Sequence, residues 1–288
     1  MPLYRPPSEG ENLIIQATLG CSFNSCTFCS MYHDKSYRAR PLADVLSDIE
    51  RAASWGPDVR RVFLADGDAL VLPTDHLLAI LAHLSRFLPR LTRVSCYALP
   101  GNLIKKSVSE LTLLRENRLS LIYYGIESGH APLLKQIRKG ASPSVMVEGL
   151  QKAAEAQIKV SATVVLGLGG QKNWHSHIDG TVELLSKAPL NYLSTLQLYL
   201  EDSVRADFLA RFDPPFEFQD DQAILEEQYR LIEKLTDPPK RVIFRSNHAS
   251  NALALAGNLP TDRLRLLSEI RAAQSGGVGL RPDFLRSL

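Results

Sequence analysis

From Leu13 to Leu200, short apolar β-branched runs alternate with amphipathic stretches, and this alternation constrains the fold more than any other feature of the chain. Leu13-Ile14-Ile15 reads as a buried strand, broken at Gly20. Arg61 to Ala65, Val94 to Leu99, Leu119 to Ile126, Val160 to Leu166 and Tyr192 to Leu200 read as further strands. Between them, Pro41 to Trp55 (closed by Gly56-Pro57), Thr74 to Leu88, Ser107 to Asn117, Ser142 to Gln157 and Thr181 to Lys187 carry helical periodicity. Strands and helices alternating at this spacing mean right-handed βαβ units and a parallel sheet, so the expected class is α/β, with six strands in an open or partial barrel. A chain of 288 residues, 45% hydrophobic and 22% charged, can bury a barrel-sized core plus an appendage. The division expected is a core over residues 1–200 and a mostly helical C-terminal extension over 201–288, in which Arg241 to Arg245 forms a strand that can join the barrel.

Three of the four cysteines, Cys21, Cys26 and Cys29, crowd into one loop at the C-terminal end of the first strand, the rim where α/β barrels keep their chemistry. A structural disulfide is a poor reading, because three close thiols leave one unpaired and no signal peptide or apolar span precedes them. Zinc held by Cys21, Cys26, Cys29 and His33 suits a tetrahedral structural site. An iron-sulfur cluster with three protein thiolates and one iron open to a small ligand is the third reading.

The loops after the other strands add carboxylates and glycines to the same rim: Ala65-Asp66-Gly67-Asp68, Gly125-Ile126-Glu127-Ser128-Gly129 and Gly167-Leu168-Gly169-Gly170-Gln171. Glycines let the backbone approach a ligand closely, and Asp66, Asp68 and Glu127 can accept hydrogen bonds from an amine or from ribose hydroxyls. Each taken singly also reads as a turn or a helix cap. Their joint placement is what points to a ligand.

These motifs resemble those of the radical S-adenosylmethionine enzymes, in particular the branch of the coproporphyrinogen dehydrogenases, the methylthiotransferases and the elongator catalytic subunit. The resemblance runs from about Leu13 to Leu200. It implies a six-stranded partial (β/α) barrel of the TIM type, a 4Fe-4S cluster on Cys21, Cys26 and Cys29, and S-adenosylmethionine chelating the fourth iron. Phe28 is implied near the adenine, Asp66-Gly67-Asp68 at the methionine amino group, and Glu127 and Ser128 at the ribose or methionine. Lys139, with Arg138 as alternative, is implied at the carboxylate, and the turn at Gly167 behind the adenine. The implied reaction is reductive cleavage to a 5′-deoxyadenosyl radical that abstracts hydrogen from substrate, with an electron donor such as flavodoxin or ferredoxin. No general acid or base is assigned. Two departures stand out: one residue more than is commonest separates the first two cysteines, and Tyr97 stands where the porphyrin-acting relatives carry a glutamate.

Beyond Leu200 the residues speak alone. Ser203 to Arg211 and Asp221 to Leu235 read as helices, and the strand from Arg241 runs into Ser246-Asn247-His248-Ala249-Ser250-Asn251. Asn247, His248 and Asn251 are candidate substrate contacts, the competing reading being an N-cap on a helix over Ala252 to Ala256. Tyr97 and Tyr199, ending strands on the rim, are further substrate candidates. Cys96 reads as a small buried hydrophobe; His175 and His177 read as flanking a loop with Trp174. A net charge of +2 implies no strongly charged partner, and the basic stretches Arg263 to Arg271 and Arg281 to Arg286 read as a solvated helix face and tail, which makes nucleic acid an unfavoured partner. Few cysteines and no long apolar run argue for a cytoplasmic protein without a membrane partner. The expected function is a single-cluster radical enzyme acting on a small molecule. The alternatives are radical modification of RNA or protein, with the basic segment as docking surface, and a non-catalytic binding protein stabilised by zinc or a cluster.

Overall fold

The computed structural model describes residues 3–56 and 58–286. The strands are β1 (Leu13–Gln16), β2 (Arg61–Ala65), β3 (Arg93–Ala98), β4 (Leu119–Glu127), β5 (Lys159–Leu166), β6 (Tyr192–Gln197), β7 (Val242–Ser246) and β8 (Leu255–Leu259). The helices are α1 (Leu42–Trp55), α2 (Thr74–Phe87), α3 (Pro100–Lys105), α4 (Val108–Glu116), α5 (Ala131–Gln136), α6 (Pro143–Glu155), α7 (Gly170–Leu185), α8 (Asp202–Leu209), α9 (Asp221–Lys234) and α10 (Arg263–Gln274). Helix α1 ends with Gly56 as its C-cap, while Pro57, expected to help close it, lies outside the described residues.

The chain forms two compact units. The first holds the residues through Asn24, Met31–Tyr124 and Glu148–Val160. In it β1 pairs parallel with β2, β2 with β3 and β3 with β4, and a small antiparallel hairpin (Thr18–Leu19 with Arg38–Ala39) follows β1. Val62, Phe63 and Leu64 are all fully buried, the pattern of a parallel strand covered on both faces. Helix α4 starts at a capping box: Ser107 Oγ accepts from Glu110 N at 3.1 Å, and Glu110 Oε2 accepts from Ser107 N at 2.8 Å.

The second unit holds Ser25–Ser30, Gly125–Val147 and the chain from Ser161 onward. Here β5 pairs parallel with β6 and β6 with β7, so the strand expected from Arg241 is present and extends the parallel ladder. Strand β8 then returns antiparallel to β7. Residues 255–259 are therefore a strand, and 252–254 are not helical, which removes the helix that Ser246 or Asn247 would have capped. The alternation of Leu255, Gly257 and Leu259 (buried) with exposed Ala256 and Asn258 is the period of two that decides this.

Helix α7 is longer than its sequence signal. It begins at Gly170, so Trp174, His175 and His177 are helical and flank no loop. Two glycines at its start and a run of polar residues before Ile178 hide the apolar period that the packed helix completes.

Candidate functional site

In the first unit, the residues expected to meet a ligand first hold the cysteine loop. Asp68 accepts from Ser22 N at 2.7 Å, from Ser22 Oγ at 2.6 Å and from Asn102 Nδ2 at 3.2 Å, and both Asp68 and Asn102 are buried. Burial pushes the Asp68 carboxyl above its usual range, against the opposing pull of the Ser22 hydrogen bonds. Asp66, fully buried, takes the Lys35 ammonium at 3.0 Å and Gly20 N at 3.3 Å on Oδ2, while its Oδ1 is buried without a partner. Gly67 is required by packing: a Cβ there would meet Gly20 O at 2.3 Å and the Cα of Cys21 at 2.4 Å. The turn thus cradles the backbone that carries Cys21. Sequence reasoning missed Lys35 and Asn102, whose residue types carry no periodic signal where they stand.

In the second unit, Thr27 N bonds Ile137 O at 3.1 Å, so the stretch carrying Cys26, Phe28 and Cys29 lies along the segment that ends in Arg138-Lys139. Phe28 is half-buried. Arg138 is exposed, whereas Lys139 is buried and donates to Glu127 Oε1 at 2.8 Å. Burial opposes the Lys139 charge, but Glu127, then Cys26 and Cys29, outweigh it and hold its pKa above the usual lysine value. Two side chains expected on the cofactor are therefore ion-paired to each other. Gly125 makes room for the pair, since a Cβ there would lie 1.9 Å from Glu127 Oε1 and 2.8 Å from Lys139 Nζ. Glu127 and Arg138 take φ of 64° and 52°, a left-handed conformation costly for residues with a Cβ.

Behind these turns lies a buried polar chain. Ser128 Oγ is 2.8 Å from His177 Nδ1, and His177 Nε2 is 3.1 Å from Val165 O, so Nε2 carries the proton and Nδ1 accepts from the serine. Burial holds His177 down at about 4, hence neutral. Gly167 N donates to Glu227 Oε2, and burial pushes the Glu227 carboxyl up to about 8. Glu227 and Gln228 sit among Ile224, Leu225, Leu231 and Ile232 on the buried side of α9; polar residues interrupting an apolar face were the available signal.

The substrate candidates separate. Tyr97 packs edge-on against Phe63 and Tyr123 (5.2 and 6.1 Å between centroids), and Tyr199 is 57% exposed. Asn247 is exposed and His248 half-buried, its Nδ1 accepting from Ser250 N at 3.2 Å. Asn251 is buried with its amide fully used: Nδ2 donates to Thr195 O (2.8 Å) and Ser246 Oγ (2.9 Å), and Oδ1 accepts from Gln197 N (2.7 Å) and Ser250 Oγ (3.5 Å). It anchors the loop to β6 and has no capacity left for a substrate. The basic tail is not a solvated one. Arg281 Nη1 donates to the carbonyls of His248 and Ala249 at 2.9 Å and of Asn251 at 3.3 Å, and Arg286 grips Asp221 with both terminal nitrogens at 2.7 and 2.6 Å.

All four cysteines are thiols rather than disulfide partners. Among the described residues no three His, Cys, Asp or Glu side chains converge on a single ion, and this holds for Cys21, Cys26 and Cys29 as it does for the zinc set with His33, an exposed residue. Cys21 in the first unit and Cys26 and Cys29 in the second are donors of the type that a thiolate-bound cluster takes. The thiols are partly accessible, Asp66 Oδ1 is a buried acceptor suited to an ammonium group, and the Lys139 ammonium sits where Cys26 and Cys29 bear on it.

A mostly parallel α/β fold of the partial-barrel type, carrying a three-cysteine loop after its first strand, defines the class of protein. Residues 15–185 match the Radical SAM superfamily, and the chain belongs to it. It is 26% identical over 169 residues to "Putative methylthiotransferase MJ0865" of Methanocaldococcus jannaschii, a match covering 55% of this chain and 36% of that protein. It is 20% identical over 183 residues to the heme chaperone HemW of Bacillus subtilis, covering 61% of this chain and 48% of that protein. The chain thus spans less than half the length of the curated relatives it matches. Among solved structures it resembles coproporphyrinogen III oxidase (HemN) from Escherichia coli, with TM-score 0.58, 15% identity and coverage of 78% of this chain and 52% of that one. Membership implies a 4Fe-4S cluster and S-adenosylmethionine. No helix among the described residues is long and apolar enough to cross a membrane.

Proposed function

We propose that the chain is an enzyme in which a 4Fe-4S cluster on Cys21, Cys26 and Cys29 reductively cleaves S-adenosylmethionine, the resulting 5′-deoxyadenosyl radical abstracting hydrogen from a small molecule. A flavodoxin or ferredoxin supplies the electron, in a reducing compartment such as the cytoplasm. The observation that carries this reading is the buried Lys139–Glu127 pair beside Cys26 and Cys29. Its ammonium offsets part of the negative charge that two thiolate ligands bring into a low-dielectric site. Asp68 fixes the backbone next to Cys21 through Ser22, and Asp66 offers Oδ1 to the methionine amino group. Lys139, rather than exposed Arg138, faces the carboxylate; Phe28, Ser128 and the turn at Gly167 complete the cofactor set.

A small-molecule substrate is favoured over RNA by the state of the C-terminal arginines. Arg263, Arg265, Arg271, Arg281 and Arg286 each already have an acceptor within the chain, which leaves few guanidinium groups for phosphates. The decisive test is anaerobic reconstitution followed by incubation with S-adenosylmethionine and dithionite. The expected result is about four irons per chain and formation of 5′-deoxyadenosine. Zinc in place of iron, or a loaded cluster that yields no 5′-deoxyadenosine, overturns the reading. Strong, salt-sensitive RNA binding would favour the modification alternative.

A further inference from the structure

Around the end of β5, four buried side-chain polar atoms have no hydrogen-bond partner: Gln219 Oε1, Gln219 Nε2, Gln197 Oε1 and Glu227 Oε1, the last facing His177 Nε2 at 3.7 Å. All three residues border one spot. Gln197 is the register partner of Leu166, Glu227 Oε2 holds the amide of Gly167, and Gln219 Oε1 lies 3.9 Å from where a Cβ on Gly167 would stand. Leaving a buried polar group unmade costs far more than an ordinary hydrogen bond gains, so such a concentration calls for a partner from outside the protein. The Gln219 carboxamide is the informative member. Both its ends are orphaned, and they present one acceptor and one donor in a single plane.

Gly167 places no side chain against that amide, both of whose ends are buried. Gly167 has φ of 81°, which favours glycine, and a Cβ there would come within 2.8 Å of Ile224 Cδ1 and toward the Gln219 amide. Gln219 lies two residues before α9, next to its N-cap Asp220, and Asp221, the first residue of that helix, accepts from Gln197 Nε2 at 3.3 Å. The segment carrying Gln219 is thereby fixed to the end of β6.

A planar donor–acceptor pair is satisfied by a planar edge offering the complementary pair. Within S-adenosylmethionine the carboxylate only accepts, the ammonium only donates and the ribose hydroxyls share no plane. Adenine alone offers an amino donor beside a ring-nitrogen acceptor, the pairing that glutamine makes with this base elsewhere. Resting on the proposed S-adenosylmethionine chemistry, we propose that Gln219 reads the adenine edge of the cofactor, with Gln197 holding the segment in place, and so sets the chain's preference for the 6-amino group. The assignment extends cofactor recognition to the C-terminal region, beyond the residues matched to the superfamily.

The test is binding, measured anaerobically by calorimetry on the reconstituted protein, with S-adenosylmethionine and its analogue lacking the 6-amino group. The natural chain is expected to bind S-adenosylmethionine about tenfold or more tightly than the analogue, the scale of one buried hydrogen bond with its partner left unmet. Gln219→Met, similar in shape and without polar ends, should weaken S-adenosylmethionine about tenfold while binding both ligands within about twofold of each other. Gln219→Glu keeps an acceptor for the amino group and should retain the preference. Iron content and melting temperature, unchanged in the variants, separate recognition from folding. Failure of the natural chain to bind S-adenosylmethionine overturns the functional reading together with this one. Binding with undiminished 6-amino preference in Gln219→Met overturns the adenine assignment alone.

Discussion

Cys96 differs from the other thiols in one decisive respect. It is fully buried in β3, and burial, followed by the nearby Asp68 charge, pushes its thiol up to about 12, so at neutral pH it offers no thiolate. Cys96→Ala is expected to keep its iron, whereas Cys21→Ala, Cys26→Ala and Cys29→Ala each lose it; iron loss in Cys96→Ala would break the three-thiolate assignment. Asp68 carries a second expectation. Because its carboxylate holds Ser22 N and Oγ, Asp68→Ala removes bonds worth about 1.5 to 3 kcal/mol each at a charged acceptor. The loop beside Cys21 then loosens, and iron retained after gel filtration should fall; full retention would reduce Asp68 to a bystander. Lys139→Met leaves Glu127 charged and buried, a change that costs about 3 to 5 kcal/mol, and adding Glu127→Gln should recover most of it in denaturant melts. The residue types at these positions were legible in the sequence. Their mutual pairing was not, because Lys139 reaches Glu127, and Lys35 reaches Asp66, only after the chain has turned back.

At the scale of elements, α7 and α9 support two of the turns from behind. Helix α7 brings His177 to Ser128, α9 brings Glu227 to Gly167, and Arg230 ties the helices by a two-nitrogen grip on Asp179 at 2.8 Å. The pH dependence follows from the two buried groups. Glu227, raised from 4.5 to about 8, contributes stability that is complete below pH 4.5 and lost as pH rises through 8. His177, lowered from 6.5 to about 4, contributes stability that is complete above pH 6.5 and lost as pH falls. The two slopes oppose each other between 4.5 and 6.5, and above 6.5 Glu227 acts alone. Stability should therefore drop by on the order of 2 kcal/mol between pH 6.5 and 8, and Glu227→Gln should flatten the slope while keeping an acceptor for Gly167 N. Equal slopes in both proteins, read from guanidinium midpoints, would show that Glu227 does not ionise in this range. Strands such as β2 were legible because an unbroken apolar run admits one reading. The first turns of α7 were not, since Gly169, Gly170 and the stacked Trp174–His175 pair give no period until Ile178.

On the scale of the whole molecule, the end of the described chain folds back as a strap. Arg281 N donates to Ala252 O at 2.8 Å, its guanidinium collects the carbonyls of His248, Ala249 and Asn251, and Arg286 Nε closes on Arg281 O at 2.7 Å while gripping Asp221. Composition alone could only count these arginines as basic; the acceptors of Arg281 are backbone carbonyls of a loop some thirty residues earlier and those of Arg286 are the Asp221 carboxylate and Arg281 O, which no local pattern announces. The strap gives the 247–252 loop its shape without regular secondary structure, since a guanidinium in a fixed planar fork satisfies several carbonyls at once. Arg281→Ala should thus raise hydrogen exchange at Asn251 N, which bonds His248 O at 3.1 Å, by about tenfold or more, with little change in the global melt. His248→Ala, which leaves all those carbonyls in place, should keep the protection. If His248 contacts substrate, that variant retains iron and cofactor binding while product-coupled turnover falls by about a hundredfold, the scale set by an ångström of misplacement. If Arg281→Ala exchanges no faster than the natural chain, the loop is held by Asn251 and its bonds to β6 instead, and Asn251→Ala is the variant that would release it.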